Sequence, residues 1–117
     1  MFETALEVGE IVQSVSFPVP KRAAYEKFPN PASRYAMVGV FVAETAKGIR
    51  VAVTGAGPSV FRQPEMEAAL QKSFTPAAVA AIRISPDGLN SDIHGSAEYR
   101  AHLVSVMASR AVAKAIA

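Results

Sequence analysis

The sequence predicts an α+β fold, an antiparallel sheet of three to four strands covered by about three helices. Three observations lead there. Among 117 residues there are 14 Val and 6 Ile but only 4 Leu, and branched aliphatic side chains suit a pleated surface. The same chain holds 22 Ala, which favours helices that pack closely. Strand-like alternation fills the first half and helix-like periods the second, a segregation typical of α+β rather than alternating α/β chains. The length fits one domain over residues 1–117, with 1–9 a linker-like opening segment.

From Glu10 the pattern Ile11, Gln13, Val15, Phe17 against Val12, Ser14, Ser16 predicts a strand over 10–18, ended by Pro18 and Pro20. Residues 21–34 are polar and interrupted by Pro29 and Pro31, so a loop or a short turn of helix is expected. Tyr35 to Ala43 is apolar on both parities and should be an interior strand. Ala46-Lys47-Gly48 supplies a turn, and Ile49 to Thr54 alternates strictly, so the two runs form a β-hairpin with Ile49, Val51 and Val53 facing the core. Pro64 with Glu65 and Glu67 starts a helix. Thr75-Pro76 opens a second, carrying Val79 and Ile82. Pro86-Asp87-Gly88 turns the chain. The last helix starts from Ser96 as its N-cap, and its stripe is read as Tyr99, Leu103, Val106, Arg110, Ala113.

The residues alone contain no complete catalytic constellation. The chain has no cysteine and a net charge of +2, which removes thiol chemistry and disulfides and leaves a weak field. No basic run exceeds Lys21-Arg22, so nucleic acid is not an expected partner. No apolar run suggests a membrane span, and acids stand where a signal peptide carries Lys or Arg, so a cytoplasmic protein is expected. Gly55-Ala56-Gly57 fails as a dinucleotide fingerprint because Val60 occupies the third glycine position and no second parallel strand follows. A strand exit needing positive φ or a close backbone approach explains it better. Asp92, His94 and Ser96 lie too close in sequence to converge as a triad. His94 and His102 lack an acid at ligand spacing. Arg110, on the stripe, is expected to lay its stem on the core, whereas Arg100 lies off it and is expected in solvent. By composition Lys27 reads as a solvated lysine.

Several segments in order resemble a known family. Glu10-Ile11 to Ser16-Phe17-Pro18, Tyr25-Glu26-Lys27-Phe28, Tyr35 to Val40, Gly55 to Arg62, Glu67-Ala68-Ala69-Leu70, and Ser96 to Arg100 with Leu103 and Arg110-Ala111 are similar to the C-terminal domain of an FAD-binding medium subunit. The family is that of carbon monoxide dehydrogenase and related molybdenum hydroxylases, including xanthine dehydrogenase. Pro29-Asn30-Pro31 replaces the paired basic residues that many members carry, leaving Arg34.

The resemblance implies an oxidoreductase subunit fragment without a complete catalytic site, with residues 10–117 as the C-terminal domain of the flavoprotein subunit. It implies FAD in the intact subunit, held mainly by N-terminal domains that this chain lacks, and no cofactor in the isolated chain. The implied partners are a large molybdenum-cofactor subunit and a small iron–sulfur subunit. Lys27 is then expected near the FAD, and Tyr99, Arg100 and Arg110 are expected to be structural. The alternative reading is a free-standing interaction or dimerisation module of the same fold.

Overall fold

The computed structural model describes residues 4–117. Four antiparallel strands in the order β1-β2-β3-β4 form the sheet: β1 Arg22–Pro29, β2 Ala36–Thr45, β3 Gly48–Thr54 and β4 Phe61–Arg62. Three helices follow, α1 Pro64–Lys72, α2 Pro76–Ala80 and α3 Ala97–Ile116. The α+β expectation holds, with the helices on one face of the sheet: α3 packs on β1 and β2, and α1 on β3.

The hairpin forms as the alternation requires. Thr45 pairs with Gly48 across the two-residue turn Ala46-Lys47, and Gly48 supplies a φ of 112°, a region that costs glycine little. Ile49, Val51 and Val53 are buried with Val38, Val40 and Val42 of β2. Met66 and Leu70 of α1, Val79 of α2 and Val104, Met107, Ala108, Ala111 and Val112 of α3 close the other side of this core. Strand β2 is interior, as its two-sided apolar pattern predicts.

Two expectations in the first third are corrected. Residues 10–18 form no strand, and the expected loop at 21–34 contains β1. The reason lies in how β1 hides its inward side. Ala24 is small, Glu26 is paired with Lys114 at 2.7 Å, and Arg22 lies 3.8 Å over the Phe74 ring while donating to Glu44 at 2.6 Å. An edge strand carrying charge is common, because charge discourages further pairing. It does not read as a greasy alternation. The short β4 is a further strand that periodicity missed. Its ladder stops after two pairs, and beyond it the Val51 N–H donates to Glu67 Oε1 at 3.0 Å.

Candidate functional site

The sheet face turned away from the helices carries the candidate site. Alternation and register place Tyr25 and Lys27 of β1, Gly39, Phe41 and Ala43 of β2, and Arg50, Ala52 and Thr54 of β3 on that face. Two of these eight are cations and none is an acid. Lys27 is cross-strand from Gly39, which is cross-strand from Thr54. The Tyr25 ring crosses above Gly39, and its hydroxyl lies 3.1 Å from the Thr54 hydroxyl. A Cβ at position 39 would collide with that ring. Glycine here therefore lets the Tyr25 ring cross β2 and reach Thr54, beside Lys27.

Asn30 fixes the loop beside Lys27. Its Oδ1 accepts from the N–H groups of Ala32 and Ser33 at 3.0 and 3.3 Å, and its own N–H donates to the Tyr35 carbonyl at 2.8 Å. Arg34 takes a φ of 61°, and its carbonyl accepts from Lys27 Nζ at 2.8 Å. Lys27 is exposed. One of its three N–H donors is held by the loop, leaving two for an outside acceptor. This surface patch thus offers ammonium donors, two hydroxyls and an aromatic face. It suits an electron-rich or anionic edge and holds no base or nucleophile pair for bond cleavage.

Behind the sheet end stands a buried arginine. Arg100 is 2% exposed. Its Nη1 donates to the Met37 carbonyl at 2.8 Å and the Gly55 carbonyl at 3.3 Å, and its Nη2 to Asp92 Oδ2 at 2.8 Å. The His94 N–H, which donates to Asp92 Oδ1 at 2.9 Å, and the Arg100 guanidinium together hold the Asp92 carboxyl below the usual carboxylate range. Gly55 has a φ of 76°, and an added Cβ would strike the Ala36 carbonyl. The Gly55-Ala56-Gly57 turn is therefore a strand exit with a close backbone approach. The Ala56 carbonyl is taken up by the Asn90 N–H at 2.8 Å.

The burial expected for two arginines is reversed. Arg110 is exposed, and Arg100 is buried. The buried side of α3 runs through Arg100, Ala101, Leu103, Val104, Met107, Ala108, Ala111 and Val112. Reading the stripe from its large side chains overlooks the alanines, which let α3 approach β1 and β2. Tyr99 is 42% exposed and meets the Phe28 ring edge-on at 6.3 Å. Ser96 caps α3, its Oγ accepting from the Tyr99 N–H at 3.2 Å, and Asp92 serves its own turn. Among the described residues no group of three or more His, Asp or Glu side chains could hold a metal.

Gly39, Thr54, Asn30 and Asp92 escape the sequence reading as site residues. Gly39 inside an apolar strand is the one available signal, since a strand glycine marks a close approach. The others depend on long-range register.

Comparison with known proteins gives consistent matches. The family described as "CO dehydrogenase flavoprotein C-terminal domain" matches residues 23–115. The nicotine 6-hydroxylase medium subunit of Paenarthrobacter nicotinovorans is 35% identical over 124 residues, covering 97% of this chain and 44% of that protein. The carbon monoxide dehydrogenase of Hydrogenophaga pseudoflava superposes with a TM-score of 0.63 at 27% identity, over 86% of this chain and 38% of that one. Quinoline 2-oxidoreductase from Pseudomonas putida 86 shares the fold with a TM-score of 0.66 at 21% identity, over 80% of this chain and 36% of that one. The chain spans less than half the length of each of these relatives.

Proposed function

The chain belongs to the CO dehydrogenase flavoprotein C-terminal domain family, and on that premise we propose that it serves as the C-terminal domain of an FAD-carrying medium subunit in a molybdenum hydroxylase, without activity of its own. The family match over residues 23–115 carries this reading. The medium subunit at 35% identity over nearly the whole chain supports it. A large molybdenum-cofactor subunit and a small iron–sulfur subunit would complete an electron-transfer assembly in the cytoplasm.

The residues present fit a flank of FAD and not its main holder. The Gly55-Ala56-Gly57 turn packs Gly55 against the Ala36 carbonyl, and Pro58 after it has no N–H to offer, so it lacks the run of donors that cradles a pyrophosphate. The surface patch of Lys27, Tyr25 and Thr54 suits a ring edge: Lys27 would set positive charge beside it, and Tyr25 would give it an aromatic surface with a hydroxyl. When bound, FAD accepts electrons and passes them on. Lys27 would favour negative charge at the ring edge, while the Asn30-ordered loop holds the ammonium in place.

A chimera tests this. The 117 residues replace the matched part of the nicotine 6-hydroxylase medium subunit, and retained flavin is read by absorbance after gel filtration. The chimera should retain FAD and the isolated chain should not. Lys27→Ala in the chimera should slow flavin reduction or reoxidation while leaving FAD bound. Stoichiometric FAD on the isolated chain would overturn the proposal.

A further inference from the structure

The side of α3 that carries Arg110 borders a basic crevice. Ser105 Oγ donates to the Ile82 carbonyl at 2.5 Å and Ser109 Oγ to the Pro76 carbonyl at 3.4 Å. These bonds pin α2 and the chain after it against the middle of α3. The crevice between them, about 270 Å³, is lined by Arg83, His102 and Arg110. All three are exposed.

The charge of this crevice is uncompensated. Elsewhere the molecule pairs its cations: Lys21 and Arg22 share Glu44, Arg62 takes Glu67, Arg100 takes Asp92 and Lys114 takes Glu26. Among the described residues no carboxylate forms an ion pair with Arg83, His102 or Arg110. Glu98 lines the adjoining hollow with Arg83 and His102, but it is engaged locally. Its own main-chain N–H and the Ser96 hydroxyl hold its carboxyl below the ordinary 4.5. Two guanidinium groups on one crevice oppose each other until a counter-charge joins them.

Exposure and spacing select among anions. A single exposed ion pair contributes little against water and salt, so a lone phosphate or carboxylate gains little here. Several carboxylates on one chain gain more, because the first contact brings the others to the site at high effective concentration. His102 and Arg110 are eight positions apart on α3, about 12 Å along its axis. An extended segment covers that span in about four residues, and its alternate side chains point one way.

We infer that the crevice between α2 and α3 is a docking site for an extended acidic segment of a partner protein, with carboxylates at alternate positions. The site lies with the helices, on the opposite side of the sheet from Lys27, so a docked partner leaves the Lys27 face open. It steers and holds the partner and performs no chemistry. It does not depend on the medium-subunit reading.

Amide NMR shifts of the 117-residue chain test this in a titration with a blocked Glu-Ser-Glu-Ser-Glu peptide, with Gln-Ser-Gln-Ser-Gln as the uncharged control. Shifts should centre on Arg83, His102 and the Ser105 to Arg110 turns, and the control peptide should move none of them. Arg83→Glu and Arg110→Glu should each weaken binding at least about 10-fold, and raising salt from about 50 to about 300 mM should weaken it by a similar factor. Lys47→Glu changes the net charge equally but lies in the hairpin turn, outside the crevice, and should change affinity less than about 2-fold. Thermal unfolding checks that all three variants are folded. No binding at about 1 mM glutamate peptide, or equal losses from Lys47→Glu and the two arginine variants, overturns the docking site. Pyrophosphate bound at these residues as tightly as the peptide makes the occupant a small anion and overturns the acidic-segment assignment. A salt-sensitive dimer of the free chain that Arg110→Glu dissociates makes the occupant a second copy, whose opening segment carries Glu7 and Glu10, and also overturns it.

Discussion

At the scale of single residues, Arg100 and Arg110 show what burial does to one side-chain type. Arg100 donates to two main-chain carbonyls from a site 2% exposed, and its removal takes the guanidinium donor from Met37 while Gly55 keeps Asn90 Nδ2 at 3.3 Å. Arg100→Ala should lower the unfolding free energy by about 2–3 kcal/mol, or roughly 10 °C in melting temperature. Arg110→Ala, on the exposed side of the same helix, should stay within about 0.5 kcal/mol. Thermal unfolding of the two variants side by side decides, and equal losses would contradict the assignment. Lys27→Ala should likewise leave the melting temperature of the isolated chain nearly unchanged.

Acid sensitivity also belongs to this scale. Burial alone would raise the Glu67 carboxyl, but the Arg62 guanidinium and the Val51 N–H outweigh it and hold the group below its ordinary value of 4.5. A carboxylate depressed in the folded state stabilises above its unfolded value, and that contribution is lost as pH falls through the folded one. Stability should therefore decline below about pH 4.5. Glu67→Gln should flatten that decline while lowering stability at neutral pH. Urea midpoints measured between about pH 3 and pH 7 check both.

At the scale of elements, the strand exit at Gly55 is the point most sensitive to an added methyl. Its φ of 76° and the Ala36 carbonyl act together, so Gly55→Ala should cost about 2 kcal/mol or more in chemical unfolding. A loss under about 0.5 kcal/mol would mean that the turn relaxes freely. The hairpin, the interior position of β2 and the Ser96 cap are legible in the sequence because each rests on local chemistry: alternation, a turn glycine, a capping hydroxyl. Strand β1 is not legible. Its inward residues are made compatible with the core by partners far along the chain, Lys114 for Glu26 and Phe74 for Arg22. The patch around Lys27 is partly legible. Lys27 is reached through the family resemblance, but Gly39 and Thr54 join it only through cross-strand register. The 10–18 segment shows the converse, a true strand pattern with no pairing partner among the described residues.

At the scale of the whole molecule, the core begins at Ala24 and none of the described residues before it is buried. Deleting residues 1–19 should therefore change the unfolding free energy by no more than about 1 kcal/mol. A larger loss would show that Phe17 and Pro18 support the sheet more than their exposure suggests. The Arg100 contacts reach 63 residues back to Met37 and 45 back to Gly55. During synthesis the hairpin is complete long before α3 leaves the ribosome, so the Met37 carbonyl at its open end waits for Arg100, while Asn90 reaches the Gly55 carbonyl first. The 20-residue helix α3 therefore acts as a latch on the open end of the hairpin. Nascent chains stalled before α3 should show a protected hairpin turn and a fraying open end, and protection of that end should arrive only once Arg100 has docked.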